Sequence, residues 1–229
     1  MNKRNYNSDY FRWMLKSNDV SDLAAKEKFQ AEIIKNGDAA FAYFYAVEYG
    51  YKAHLMQKVI LEQKDAKYAY FFAQNMKHSD VKALQNIVAK SKKIEYIAKF
   101  ACFVNQADSK LLESIILKSG NCKYIIMLLN HMTGANINKY KKAIMQSAKP
   151  KYLFELAKHL NSQSEINKIE DLIIESGSFT YMRLFAENIK KSNIDKIEQA
   201  VLARDDSEEI RKFATYVRKS KMKKFLLVG

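Results

Sequence analysis

The sequence predicts an all-α protein, a right-handed α-solenoid of about six to seven two-helix repeats with atypical capping ends. Three observations predict this fold: few turn residues, a repeat of about 28 residues, and two short amphipathic segments in each repeat. The 229 residues include only six glycines and one proline, whereas a β-sandwich or α/β fold needs many more turn residues.

The first helix of each repeat carries a small residue near its end, at steps of 27, 28, 28, 28, 29 and 28 residues. An aromatic residue lies five positions earlier. The small-residue positions are Ala46, Ala73, Ala101, Leu129, Ala157, Ala186 and Ala214. The aromatic positions are Phe41, Tyr68, Tyr96, Tyr124, Tyr152 and Tyr181. Such a fixed period is typical of a solenoid, in which each unit contacts only its neighbours.

The second helix follows a turn such as "KHSD" or "NQAD", in which a Ser, Asp or Asn is placed to cap it. A branched apolar position marks this helix: Ile60, Ile87, Ile115, Ile144, Ile173 and Val201. The helix often ends at Ser, and glycine follows in Ser119-Gly120 and Ser176-Gly177, which predicts a left-handed cap. Pro150 is placed at the start of a first helix, where proline is tolerated.

The stacking of such hairpins completes a core that no single hairpin can bury. We predict that the tyrosines form a core ladder between successive first helices, with their hydroxyls near the surface. The alternative, a platform on which nucleic-acid bases stack, requires the rings to be exposed.

The domain organisation predicted is one helical-repeat domain over residues 1–229, with thirteen to fifteen helices. Residues 1–36 form an N-terminal cap unit, 37–206 six repeats, and 207–229 a partial repeat. The only tryptophan, Trp13, is interpreted as a residue that packs the cap.

The aromatic-x-x-x-x-Ala pattern of the first helix, followed by a short amphipathic helix, resembles HEAT-like α-solenoids. It is more similar to the short helical-hairpin repeats of phage and bacterial proteins of unassigned function. The resemblance covers nearly the whole chain but is architectural. One HEAT-like family, the bacterial alkylpurine DNA glycosylases, uses tryptophans and an aspartate on its concave face. Here no tryptophan lies within the repeats, so that activity does not carry over.

The net charge of +14 favours an anionic partner. Only six of the 39 basic residues are arginines, and lysine suits attraction that is independent of sequence better than it suits base reading. An A/T-biased coding sequence is the alternative origin of the lysines.

A lysine recurs five positions before the branched apolar position, in the first turn of the predicted second helix. This column consists of Lys82, Lys110, Lys139, Lys168 and Lys196. A cation is unfavourable there, because the helix N-terminus is already partly positive. The functional interpretation is a cationic stripe, which helix spacing would extend over roughly 40 Å. The alternative is a solvated face with ordinary pairs to nearby glutamates on the same helix: Glu170 for Lys168, Glu198 for Lys196, and Glu113 for Lys110 at i+3 spacing.

No Asp or Glu occurs from Lys118 to Phe154, a stretch with seven lysines. Lys141 and Lys142 lie in it beside Lys139, so we expect these lysines to extend the stripe. The predicted binding residues are Lys82, Lys110, Lys139, Lys141, Lys142, Lys168 and Lys196.

Cys102 and Cys122 are expected to be reduced thiols in the first helices of adjacent repeats. The sequence contains no phosphate loop, catalytic serine elbow or paired-cysteine metal motif, so we expect no catalytic residue, metal or cofactor. No apolar run approaches the roughly 20 residues of a membrane span, and the polar start "MNKRNYNSDY" does not resemble a signal peptide. We therefore expect a cytoplasmic protein with no membrane partner.

The function expected is that of a non-enzymatic scaffold whose lysine-rich face binds an acidic protein surface or a nucleic-acid backbone, in a phage or mobile-element setting. Two alternatives remain open from the sequence: a HEAT-like, glycosylase-type DNA-repair enzyme and a purely structural assembly protein.

Overall fold

A computed structural model describes residues 23–131 and 136–222, and all the regular secondary structure in these ranges is helical, without a β-strand. The described residues form fourteen α-helices. In chain order they are α1 (Leu23–Asn36), α2 (Ala39–Tyr49), α3 (Ala53–Gln63), α4 (Ala66–Asn75), α5 (Val81–Lys90), α6 (Ile94–Phe103), α7 (Ser109–Ser119), α8 (Cys122–His131), α9 (Ile137–Ser147), α10 (Pro150–Ala157), α11 (Gln163–Glu175), α12 (Phe179–Asn188), α13 (Ile194–Leu202) and α14 (Ser207–Tyr216). The predicted all-α class is thus confirmed.

The chain divides into two compact units, Met1–Ser119 (unit 1, with α1–α7) and Gly120–Gly229 (unit 2, with α8–α14). Within each unit, each even-numbered helix before α14 pairs with the odd-numbered helix that follows, and successive even-numbered helices pack on each other. Each unit is therefore a solenoid-like stack of helical hairpins. The division into 1–36, 37–206 and 207–229 stays a prediction, and Trp13 lies outside the described residues.

The predicted repeat positions of the first helices correspond to their buried face. Six of the seven small-residue positions are buried, and Ala101 is half-buried. The larger core side chains lie one position before the small residue: Tyr45, Phe72, Phe100, Leu128, Leu156, Phe185 and Phe213. Burial of such a side chain stabilises a fold by roughly 1.5–3 kcal/mol, so this position contributes much of the core of each unit.

Side-chain caps predicted from the turn residues are present at four second helices, whereas Ser162 at the start of α11 forms no capping hydrogen bond. Asp65 accepts hydrogen bonds from the amides of Lys67 and Tyr68 at the start of α4. Second helices are capped in the same way by Asp80, Asp108, Asn136 and Asn193. Pro150 occupies the first turn of α10, as predicted.

A residue with positive φ follows each second helix and turns the chain into the next repeat. The seven positions are Gly37, Lys64, Lys92, Gly120, Ala148, Gly177 and Asp205. The predicted glycine caps are therefore confirmed, with φ of 65° at Gly120 and 75° at Gly177. Four repeats place a residue with a Cβ in this left-handed conformation, which costs about 1–2 kcal/mol for each such residue.

A buried polar ladder joins the second helices, and the sequence analysis missed it. In unit 1, the Gln57 Oε1 accepts the Asp80 amide at 3.0 Å, and the Gln85 Oε1 accepts the Asp108 amide at 2.7 Å. In unit 2, Glu170 accepts the Asn193 amide and Glu198 accepts the Lys221 amide, both at 2.7 Å. Gln57, Gln85 and Glu170 therefore each accept from the residue that caps the next second helix, and Glu198 accepts from the segment that follows α14.

Lys141 occupies the ladder position in α9, where a lysine cannot accept an amide hydrogen. Its Nζ instead forms an ion pair with the carboxylate of Glu165, in the first turn of α11. The polarity of the contact is reversed here, because the earlier helix donates and the later helix accepts. Lys141 therefore has a structural role between two repeats.

We predict that Ala148→Gly raises the free energy of unfolding by roughly 0.5–1 kcal/mol. Ala148 has φ 49°, and glycine removes the Cβ conflict at the expense of a more flexible unfolded chain. Urea unfolding followed by circular dichroism measures the change.

Gly120→Ala is the matched control, because an added Cβ there meets no atom within 4 Å. Only the φ of 65° opposes the methyl group, so this variant should lose about 1 kcal/mol. Equal stability changes of the same sign in both variants would contradict the prediction.

We predict that Glu170→Gln stabilises the protein at pH 7. Glu170 is 1% exposed, and burial raises the pKa of its carboxyl group. A raised pKa in the folded state means that stability falls as pH rises through the interval between the unfolded and folded values. Glutamine keeps the acceptor for the Asn193 amide and removes the buried charge, so the variant should lose this pH dependence.

Gln85→Leu tests the ladder itself, because leucine keeps the size of the side chain but leaves the Asp108 amide without its acceptor. The expected loss is about 1–3 kcal/mol in urea unfolding. Asn86→Ala, at the exposed neighbouring position, should change stability by less than about 0.5 kcal/mol. A loss at Gln85 as small as that at Asn86 means that the ladder bond does not stabilise the stack.

Candidate functional site

The seven predicted binding lysines all lie on second helices. Lys82 is on α5, Lys110 on α7, Lys168 on α11 and Lys196 on α13, while Lys139, Lys141 and Lys142 share α9. Six of the seven are exposed, and Lys141 is half-buried at the ladder position. The predicted location in the first turn holds for every repeat except α11, which begins at Gln163 and so places Lys168 in its second turn.

The five lysines of the predicted column occupy two different positions on the second helices, not one. The buried branched residue in α5 is Val88 and in α7 is Ile116, whereas the sequence analysis chose their neighbours Ile87 and Ile115, which are half-buried. Both helices carry two adjacent apolar residues, so the pattern alone did not decide between them. With Ile60, Val88, Ile116, Ile144, Ile173 and Val201 as the column, the steps are 28, 28, 28, 29 and 28 residues.

Lys139, Lys168 and Lys196 share one position within unit 2. Each lies two residues before the ladder position of its helix, which is occupied by Lys141, Glu170 and Glu198 respectively. Lys82 and Lys110, in unit 1, lie one position earlier. One residue is about 100° around a helix, so the two groups point in different directions from their helices. We call Lys139, Lys168 and Lys196 the unit 2 lysine row.

Ion pairs between repeats involve two of the predicted binding lysines. Lys196 pairs with Asp171 of the preceding second helix, and the hydrogen bond from this carboxylate raises the pKa of the lysine. Lys141 pairs with Glu165. Lys221 likewise pairs with Asp195 at 2.7 Å. Exposed pairs of this kind contribute about 0–1 kcal/mol, but they lower the net charge of the surface around them.

The predicted pairs within one helix are wrong at Lys168 and Lys196. Glu170 and Glu198 are buried and accept backbone amides of the next repeat. They lie two residues after the lysines, a spacing that does not bring side chains together on a helix, and their position belongs to the buried ladder.

The acid-free stretch gives the beginning of unit 2 a concentration of exposed cations. Lys123 on α8, Lys142 on α9, and Lys149 and Lys151 at the start of α10 are all exposed. The Lys123 Nζ also lies 5.1 Å from the ring centre of Tyr124. This surface adds to the positive charge of the unit 2 lysine row, whose first member, Lys139, is on α9.

The tyrosines of the aromatic position are half-buried in both units. In unit 1, the ring centre of Tyr68 is 6.0 Å from that of Tyr43, and the ring centre of Tyr96 is 6.3 Å from that of Tyr70. In unit 2, Tyr181 lies 6.2 Å from Phe154. Each partner is two residues after the aromatic position of the preceding first helix. This packing between first helices favours the core ladder over the base-stacking platform.

The histidines of unit 2 form local hydrogen bonds. The His131 Nδ1 lies 2.8 Å from the Met127 carbonyl oxygen, and the His159 Nε2 lies 2.8 Å from the Asn130 Oδ1. Across the described ranges, no group of three or more His, Cys, Asp and Glu side chains is placed to hold a metal ion. In the same ranges, every helix is too short or too polar to cross a bilayer.

Comparison with protein-family models, with curated proteins and with solved structures finds no match to this chain. The helical hairpins and their packing agree with a helical-repeat fold. The finer likeness to HEAT-like or phage repeats rests on the sequence pattern alone.

We predict that both thiols react slowly in the folded protein. Both are free, and burial raises the pKa of Cys102 to about 11, so little thiolate exists at pH 8. Cys122 is buried, with its Sγ 3.6 Å from the carbonyl oxygens of Gly120 and Ala143. A disulfide reagent should label both cysteines at least about tenfold more slowly than in urea, given the small thiolate fraction.

The variants Cys102→Ala and Cys122→Ala assign the rates to single thiols. Labelling of Cys102 should accelerate continuously between pH 8 and pH 10, because its thiolate fraction is still rising there. Equal rates in the folded and unfolded protein would show that the thiols are accessible.

Proposed function

We propose that this chain is a non-catalytic helical-repeat scaffold that binds an anionic macromolecule through exposed lysines of unit 2. An acidic protein surface and a nucleic-acid backbone both have the required charge. The proposal includes a HEAT-like kinship, a cytoplasmic location and a phage or mobile-element setting, which rest on the sequence pattern.

The observation that carries the proposal is the unit 2 lysine row. Lys139, Lys168 and Lys196 occupy one position on successive second helices, and all three are exposed. Stacked helices lie about 8–10 Å apart, so the row presents cations at a regular spacing. A regular series of point charges attracts an extended polyanion without reading its sequence.

The ion pairs indicate which lysines contribute most to this attraction. Lys141 is held by Glu165 and Lys196 by Asp171, so the pairing partially neutralises both. Lys142 is exposed one residue after the ladder position, within the acid-free stretch. We therefore assign the binding mainly to Lys142 and Lys168, together with Lys139 as the exposed first member of the unit 2 lysine row.

We predict that the triple variant Lys139→Ala, Lys142→Ala, Lys168→Ala binds polyanions more weakly than the unchanged protein. The probes are a random-sequence DNA duplex and poly-glutamate, titrated by fluorescence anisotropy at several salt concentrations. For the duplex, the log–log salt slope should become shallower by up to about 3 units, because each neutralised phosphate contributes about 0.9. For poly-glutamate, slower association is the expected change.

The matched control removes three exposed lysines of unit 1, in the variant Lys35→Ala, Lys58→Ala, Lys90→Ala. It has the same net charge as the test variant, so equal losses in both would mean that only net charge matters. Thermal unfolding should be nearly unchanged in both variants, because exposed substitutions alter stability by under about 0.5 kcal/mol. If the unchanged protein binds neither probe, the proposed function is wrong.

A further inference from the structure

Two adjoining grooves lie along the turns between the first and second helices of unit 2. One has a volume of about 390 Å³ and lies between the α12–α13 turn and the turn that follows α14. The other has a volume of about 310 Å³ and lies between the α10–α11 turn and the α12–α13 turn. Both are lined by Asn188, Ile189 and Lys190. We call this pair of grooves the unit 2 turn edge.

The charged lining of the unit 2 turn edge is almost entirely basic. Its cations are Lys158, Lys190, Lys191, Arg218 and Lys219, all of them exposed. Its one carboxylate, Glu187, lies 3.8 Å from Arg183. Two of the cations have partners outside the grooves or across them: Lys158 pairs with Glu155 at 2.8 Å, and Lys191 donates to the Asn161 carbonyl oxygen at 2.5 Å. Lys190, Arg218 and Lys219 are therefore the cations best placed to meet a ligand.

The equivalent groove of unit 1 has the same architecture but not the same charge. It has a volume of about 220 Å³ and lies between the α4–α5 turn and the α6–α7 turn. Lys77 is its only charged lining residue, and Asn105 and Gln106 stand where unit 2 has paired cations. The repeat fold alone therefore does not require a basic turn edge.

The uncharged lining of the unit 2 turn edge indicates what kind of anion fits. Its large apolar side chains are buried, except for the half-buried Ile194, and neither groove is lined by an aromatic residue. Protein interfaces are centred on exposed aromatic and apolar anchors, and single-stranded nucleic acids stack on aromatic rings. Lysine, arginine, serine and asparagine are instead the side chains that contact phosphate oxygens of a duplex.

We propose that the unit 2 turn edge binds the phosphate backbone of a nucleic-acid duplex, independently of its sequence. Turns of successive repeats lie about 10 Å apart, so Lys190 and the Arg218–Lys219 pair contact different phosphates. The proposal rests on the proposed function, which it deepens by naming a second surface and the class of the partner. Its residues are separate from the unit 2 lysine row, so the two surfaces are tested separately.

The test is the variant Lys190→Ala, Arg218→Ala, Lys219→Ala in the full chain, titrated with a random-sequence 20-base-pair DNA duplex. The expected loss of affinity is about 10- to 100-fold at 0.15 M salt, and the log–log salt slope should become shallower by up to about 3 units. The loss should be the same for duplexes of different sequence. The control Lys35→Ala, Lys58→Ala, Lys77→Ala removes the same charge from unit 1 and should lose much less.

Four outcomes separate this inference from the proposed function. If the turn-edge variant loses duplex affinity and its control does not, the inference is supported. If only the variant of Lys139, Lys142 and Lys168 loses affinity, the proposed function holds and the turn edge is not the duplex site. If the unchanged protein binds poly-glutamate but no duplex, its partner is an acidic protein and the inference is overturned. If it binds neither probe, both proposals fail.

Discussion

The hydrogen bond that a backbone amide of the next repeat donates to a buried glutamine or glutamate is the contact that fixes the spacing of the second helices. An unpaired buried amide costs about 1–3 kcal/mol, so the acceptor must reach the same backbone atom in each repeat. Gln57, Gln85, Glu170 and Glu198 do so over the same separation of 23 residues. The repeat length varies only from 27 to 29 residues.

Lys141 shows what happens when this constraint is lost. No acceptor is available at its position. The following second helix, α11, begins at Gln163, three residues before Ile166, which is the position where α9 and α13 begin with Ile137 and Ile194. The extra turn of α11 carries Glu165, which receives the lysine. A change at one side chain is therefore accompanied by a change in the length of the helix that it contacts, as expected where each repeat interacts only with its neighbours.

The helical class, the first-helix register and most caps could be predicted, because they depend on local pattern: period, capping residues and glycine. The ladder was missed because glutamine and glutamate are usually exposed, so their recurrence at Gln57, Gln85 and Glu170 looked like ordinary surface composition. The second-helix register failed where Ile87-Val88 and Ile115-Ile116 offer two equivalent choices. For the candidate site, the sequence identified exposed lysines but not their pairing, because Asp171 and Lys196 lie in different repeats.

The basic residues of unit 2 fall into two groups, those that form ion pairs between repeats and those that line the turns. Lys141 and Lys196 lie between repeats and form ion pairs with carboxylates on neighbouring second helices. Their charges therefore contribute to the contacts between repeats. The exposed Lys190, Arg218 and Lys219 line the turns instead. The fold does not require the charges of Arg218 and Lys219, since unit 1 places Asn105 and Gln106 at the corresponding positions, whereas Lys190 corresponds to Lys77. Positive charge that the architecture does not require is better evidence for a partner than a regular spacing of lysines along the chain is. A regular spacing also arises from the contacts that hold the repeats together.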